Sequence, residues 1–420
     1  MTEADTGKPM PADNHRRDAT SLAAASLVSG ALAYVVFAIV TRALGAEGAG
    51  PVSVLWTWWG LSAAAITFPV QHWITRTVAA HGGFGVVRTS LLPLAVATVA
   101  AAMAVGAVTW LVRDQLFHSD GAAFPILVAC LTIGSSLMGV VRGCLGARRR
   151  FRVLALTLLA ENGTRCIGVG ALWAAGVEDS AAYGAVIVAG LLTGLVWPGA
   201  LDFPATGALA EGGRRAVLAL LAGVSSGQLL GQVVLTGGPV ILALLGGAPS
   251  TVTALFVALS VYRAPYIVAV GVVPQVTGRV TRLVVEGRHR ELARLRQTLT
   301  AATLVLAAGA VAVGIWIGPP LIRAVFGSDV IVPATASALL AAGSVFAVAN
   351  LVAAVLALAH GHSRIAALSW LCGMACASVV LVTGLSALGR IAAGFLLAEA
   401  VTFAVLLATG LRPAAGRRAP

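Results

Sequence analysis

Twelve apolar runs, each about 20 residues long or longer, divide the 420-residue chain almost from end to end. A helix needs roughly 20 apolar residues to cross a ~30 Å hydrocarbon layer. The runs place spans at about 21–40, 52–74, 90–112, 123–141, 153–175, 181–201, 216–245, 252–276, 299–322, 331–359, 365–387 and 391–411. With 59% of residues apolar and 10% charged, the chain could not cover a soluble surface, for which about 25% charged residues is usual. This excludes a cytosolic enzyme, a disordered chain and a secreted disulfide scaffold. The number of runs excludes a single anchor. Ala, Leu, Val and Gly fill them without the two-residue alternation of a barrel strand, and the small residues suit close helix packing in lipid. The fold expected is an all-α polytopic membrane protein with twelve transmembrane helices.

Loop charge tests the count. With both termini in the cytoplasm, 22 of the 28 Lys and Arg residues fall in inside segments. Outside segments hold Arg42, Arg113, Arg323 and Arg390, while Arg165 and Arg263 lie within spans. A wrong count would scramble that asymmetry. The formal net charge of +12 is therefore read as topogenic arginine beside anionic lipid, not as a nucleic-acid surface. Residues 1–20 form a polar tail, expected to be disordered. Cys130, Cys144, Cys166, Cys372 and Cys376 fall in or at the ends of spans without metal-ligand spacing, so core packing is their expected role. No G-x-x-x-x-G-K-[ST] motif occurs, and neither metal nor cofactor is expected.

Two segments repeat. Leu44–Gly82 and Leu245–Gly287 each open with Leu-Gly, cross the membrane and carry a proline with a nearby glutamine, Pro69/Gln71 and Pro274/Gln275. Arg76 and Arg282 follow, and in both the closing glycine lies 13 residues after the proline. Spans two and eight thus read as equivalents in two pseudo-symmetric six-helix lobes around a central cavity. The lobes are expected at 21–202 and 216–411, joined by a cytoplasmic linker at 203–215, with a short tail at 412–420. Such halves are a transporter's architecture.

The segment GALAYVVFAIVTRALGAEGAGPVSVLWTWWGL, with Arg42, Leu44, Gly45, Glu47 and Gly48 or Gly50, resembles the opening of the polysaccharide transporter and O-antigen flippase family. That family belongs to the multidrug/oligosaccharidyl-lipid/polysaccharide exporter (MOP) superfamily. GCLGARRRFRVLALTLLAENGTRCIG resembles its joint between helices four and five, a basic turn followed by Glu-Asn-x-x-Arg. The resemblance implies flipping of a polyprenyl-diphosphate-linked oligosaccharide, a cell-surface polysaccharide precursor, from the inner to the outer leaflet of a bacterial plasma membrane. Its partners would be membrane lipids, a polysaccharide polymerase and glycosyltransferases. Cation-coupled drug exporters share the twelve helices and are the alternative reading. A membrane polymerase or ligase would want a large outside loop, and the outside loops here are about ten residues or fewer.

Ionisable groups at membrane depth are site candidates by default. Glu161 and Arg165, at i and i+4 on span five, either neutralise each other or face a water-filled cavity where Arg165 would bind phosphate. Arg263, between Tyr262 and Tyr266, needs a partner from another helix or an anionic ligand. Glu399 is expected to carry a coupling proton or to pair with Arg263 or Arg165. Arg42, Arg76 and Arg142 fall at helix ends, where snorkelling or lining the cavity mouths are both open. His72 reads as a packed residue or a proton relay. Gln228, Gln232 and Asn350 suit sugar hydroxyls or interhelical hydrogen bonds. Pro69, Pro265 and Pro274 mark kinks around a cavity. Arginine would supply permanent, bidentate charge for a diphosphate, whose bare passage through hydrocarbon is prohibitive.

Overall fold

Residues 12–204, 229–359 and 363–409 are described in the computed structural model, and every regular element among them is helical. α1 (Ala12–Gly48) starts ahead of the first expected span, so part of the expected tail is helix. Span two comes in three pieces: α2 (Gly50–Ser62), a π-helical turn (Ala63–Thr67) and α3 (Phe68–His81). Pro69 sits in the first turn of α3. It offers no N–H to the preceding ladder, and the wide turn accommodates that gap. α4 (Gly85–Leu111), the short α5 (Arg113–Phe117), α6 (Ala123–Ala147) and α7 (Phe151–Ala174) follow. α8 (Ser180–Ala189), extended by a 3₁₀ segment (Gly190–Val196), ends the first half. The expected linker and the first part of span seven, Gln228 included, lie outside the described residues.

The second half runs through α9 (229–236), α10 (Gly238–Leu244), α11 (Pro249–Tyr262), α12 (Ala264–Val285) and α13 (His289–Trp316). It finishes with α14 (Gly318–Phe326), α15 (Ala334–Ala359), α16 (Ser363–Val380) and α17 (Ala387–Thr409). Among the described residues six helices are long and apolar enough to cross a membrane alone, and α11 with the start of α12 makes a seventh candidate bent by 44°. Three of the other expected spans, two, five and six, depart from that pattern for visible reasons. Pro69 and the π turn break span two. The 3₁₀ segment shortens the α-helix of span six, and α7 carries Glu161, Asn162 and Arg165.

The sequence repeat is a structural repeat. Gly45 and Gly246, from the paired Leu-Gly steps, have φ of 69° and 78°, and Gly82 and Gly287, which close the segments, have 67° and 66°. In the first lobe α3 and α4 pack on α6; in the second, α12 and α13 pack on α15. α5 and α14 are also equivalents. Arg113 and Arg323 precede buried Phe117 and Phe326, and each phenylalanine is followed by a residue of positive φ and then Ser-Asp.

The lobes pack against each other mainly at one end, where Arg42 lies. There α1 and α2 meet α11, α14 contacts α1 and α11, and α5 contacts α10 and α2. Phe37 and Phe256 form the apolar centre of this seam, with ring centroids 4.2 Å apart. Gly50 is pressed against Pro249, where a Cβ would meet the proline at 2.6 Å. Of the cysteines only Cys144 is buried, whereas Cys130, Cys372 and Cys376 are exposed and Cys166 is partly buried. Core packing therefore accounts for Cys144 and for Cys166, which packs against the main core and donates to the Leu32 carbonyl, while the three exposed cysteines depart from it.

Candidate functional site

The chemistry-bearing centre of the first lobe is built on α6 and α7. Glu161 is 2% exposed and Arg165 is fully buried. Glu161 Oε1 lies 2.8 Å from Arg165 Nη2 and accepts from Trp59 Nε1 at 3.1 Å, while Oε2 accepts from Arg142 Nη2 at 2.6 Å. One carboxylate thus sits between two guanidiniums. Arg142 is not a snorkelling helix-end residue: it lies within α6 and is buried, because its charge is met by a carboxylate one helix away. Its Nε donates to Thr157 Oγ1, and its Nη1 has no hydrogen-bond partner among the described residues.

Arg165 is held mostly within the protein, although its Nη2, in ion-pair range of Glu161, makes no hydrogen bond among the described residues. Its Nε donates to the Ile187 carbonyl at 2.9 Å and its Nη1 to Asn162 Oδ1 at 3.1 Å. The guanidinium lies 4.7 Å from the Trp59 ring centroid and 5.4 Å from that of Trp56, within cation–π range. The chain makes room at Gly190, where a Cβ would come within 2.6 Å of Arg165 Nε. Asn162 Nδ2 donates to Ser29 Oγ at 2.8 Å, which ties α1 to α7. Trp59 and its neighbour Gly60 are half-buried, and a Cβ at Gly60 would lie 3.7 Å from Gln232 Nε2 in the other lobe. Gly60, next to Trp59 of the arginine cluster, thus lies beside the second lobe.

On α3, Phe68, His72 and Arg76 form an exposed stripe at i, i+4 and i+8, facing away from the surface that packs on α6 and α4. His72 is thus an exposed residue of this stripe, not a packed one. In the second lobe an apolar cavity of about 240 Å³ between α12 and α15 is lined by Ala269, Val273, Val276, Val348, Leu351, Val352 and Val355.

Arg263 stands at the 44° bend between α11 and α12. Its Nε donates to the Leu259 carbonyl at 3.1 Å and its Nη1 to that of Leu235 at 2.9 Å. Among the described residues it has no carboxylate partner; backbone carbonyls of α11 and α9 take the place of the expected acid. Glu399 pairs with neither Arg263 nor Arg165. It is fully buried, and Asn350 Nδ2 donates to its Oε2 at 2.7 Å and to its backbone carbonyl at 3.0 Å. Glu399 Oε1 and Asn350 Oδ1 are buried without partners. Gln232 Nε2 donates to Thr236 Oγ1 at 3.2 Å.

Arg42 is neither free nor lining a cavity mouth. Its Nε and Nη2 donate to the carbonyls of Val325 and Ala324, at 3.0 and 2.7 Å, and so cap the end of α14. Asp329, just past α14, reciprocates by accepting from the Ala46 N–H at the Gly45 break. Sequence reasoning missed Trp59, Asp329 and this clasp. The Arg-x₂₋₃-Phe-x-Ser-Asp repeat was the available signal.

No family model matches the chain, and no curated protein matches it. Solved structures do. An inward-facing multidrug resistance MATE family transporter of the MOP superfamily is 13% identical, covers 91% of this chain and 93% of its own, and has a TM-score of 0.68. The lipid II flippase MurJ in an inward closed conformation is 13% identical at a TM-score of 0.67, covering 92% and 87%. This chain shares the fold of these two structures. An outward-facing MATE family transporter of the superfamily is 13% identical and covers 94% of both chains, at a lower TM-score of 0.54. The chain is a multi-pass membrane protein of that fold: all-helical, two-lobed and closed at the Arg42 end.

Proposed function

We propose that the protein moves a polyprenyl-diphosphate-linked oligosaccharide from the inner to the outer leaflet of a bacterial plasma membrane, by alternating access of its two lobes. The carrying observation is the position of Arg142. With it inside the membrane-spanning bundle, the charged groups buried or part-buried at membrane depth among the described residues are Arg142, Arg165 and Arg263 against Glu161 and Glu399; the part-buried Arg113, Arg148, Glu291, Arg296 and Arg390 lie outside the expected spans. A surplus of arginine favours an anionic head group, whereas a cation exporter would want acids at that depth.

In this reading both termini are cytoplasmic and the Arg42 end faces outside. The diphosphate is met first by Arg76 on the exposed α3 stripe and then by the free donor of Arg142. Glu161, itself paired with Arg165, holds that guanidinium in place, and the apolar cavity between α12 and α15 leaves the prenyl chain to lipid. Arg263, Gln232 and, outside the described residues, Gln228 offer donors from the second lobe. The greater similarity to an inward-facing than to an outward-facing relative supports a starting state open toward the cytoplasm. Glu399 and Asn350, with one unpartnered oxygen each, are the coupling-ion candidates. A polymerase and glycosyltransferases would supply and consume the substrate.

The test is translocation in proteoliposomes. A fluorescent polyprenyl-diphosphate disaccharide should become accessible on the far leaflet in the presence of the wild type. Expulsion of cationic dyes under a proton or sodium gradient, with the lipid left in place, would favour the drug-exporter alternative, and Glu161 and Glu399 would then be the groups to replace.

A further inference from the structure

A crevice of about 210 Å³ runs through the second lobe between α9, α10, α11, α16 and α17. Among the described residues its walls are Val, Ile, Leu, Met, Phe, Ala and Gly, with Ser378 and Arg390 as the side chains bearing hydrogen-bonding groups. Arg390 occupies one end, in the first turn of α17. From Arg390 to Ala398, which marks the lining's reach along α17, is about 12 Å at 1.5 Å per residue. Arg390 Nη1 donates to the Leu381 carbonyl at 3.0 Å, but its Nε is buried without a partner. No carboxylate pairs with it among the described residues. Just beyond, Val379 and Val382 are 64% and 87% exposed, an apolar rim of the kind that faces lipid.

We infer that this crevice holds one acyl chain of an anionic phospholipid, with the lipid phosphate at Arg390. A buried guanidinium donor without an acceptor is costly, and an anionic oxygen satisfies both its hydrogen bond and its charge. The orientation is that of a leaflet lipid: the charged group at the helix end, where the membrane surface lies, and the apolar slot running inward from it. Gly394 and Ala377 keep the slot open. A Cβ on Gly394 would meet Ala377 only at ordinary contact distance, 3.6–3.8 Å, so a larger residue there extends into the crevice without a backbone clash. This site is separate from the arginine cluster of the first lobe and does not depend on the transported substrate.

The test is native mass spectrometry of the full-length protein purified from nanodiscs of equimolar phosphatidylglycerol and phosphatidylcholine. Photo-crosslinking with a diazirine-tailed phosphatidylglycerol maps the site. The wild type should retain one phosphatidylglycerol per chain, with label confined to 374–381 and 391–398. Arg390→Gln and Gly394→Leu should each cut retention about tenfold or more, while Arg390→Lys keeps most of it and Arg323→Gln, exposed on the same face, leaves it unchanged. Circular dichroism confirms that the variants fold. Equal retention of phosphatidylcholine, retention unaffected by Arg390→Gln, or quantitative displacement by undecaprenyl phosphate at equimolar concentration would each overturn the proposal.

Discussion

Arg142 Nη2 lies 2.6 Å from Glu161 Oε2, so a basic residue from one helix and an acidic residue from the next share a buried position. The same carboxylate holds Arg165 on its other oxygen. Removing the carboxylate leaves two buried guanidiniums without a counter-charge. Glu161→Gln should therefore destabilise the protein by about 3–5 kcal/mol, the range for breaking a buried pair, visible as a lower melting temperature in detergent. Replacing Glu161 by Gln and Arg165 by Met together should recover much of that stability.

Gly190 tests the seat of Arg165 without altering charge. A methyl group there meets Arg165 Nε at 2.6 Å, its Cγ at 2.8 Å and the Glu161 carbonyl at 3.0 Å. Gly190→Ala should displace the guanidinium from the Ile187 carbonyl and lower transport about as far as Arg165→Ala does. Transport assays on the two variants side by side check this, and Gly163→Ala, where nothing lies within 4 Å of the added carbon, serves as the neutral control.

The helix break in span one asks more of its glycine than the turn closing span two. Gly45 has φ 69° and ψ 176°, a region almost confined to glycine, and a Cβ there would lie 3.3 Å from Asp329 Oδ2. Gly82 has φ 67° and ψ 15°, with nothing within 4 Å. Gly82→Ala should cost about 1–2 kcal/mol for the left-handed backbone alone. Gly45→Ala should cost clearly more. Thermal unfolding of the two variants measures the difference.

Arg42 and Asp329 form a two-way clasp between the lobes at the closed end. Each charged hydrogen bond is worth about 1.5–3 kcal/mol, enough to move a two-state equilibrium about tenfold or more. Arg42→Ala combined with Asp329→Asn should populate a state open at that end. Spin labels at Glu47 and Ser386, exposed in opposite lobes, should then show a longer distance component by pulsed electron resonance.

The fold was largely legible because spans, loop charge and repeat are all local patterns. The paired Leu-Gly steps and closing glycines showed in the sequence and reappear as paired positive-φ residues. The site was less legible because its partners are far apart in the chain. Arg142 lies near a run's polar end, and only the fold shows that it turns inward to an acid 19 residues on. Asn350 and Glu399 are 49 residues apart, and the Arg42 contacts span more than 280 residues. Nothing at residue level links such pairs, since burial of a polar group demands a partner without naming it.

The most direct measurement is head-group translocation of a fluorescent polyprenyl-diphosphate disaccharide in proteoliposomes, comparing wild type with Arg142→Gln and Arg76→Gln at matched protein incorporation. An anion-conducting first lobe predicts transport by the wild type and a loss of about tenfold or more in Arg142→Gln, with a smaller loss in Arg76→Gln. Translocation that is unchanged when Arg142 loses its charge, in a protein that still folds, would contradict it.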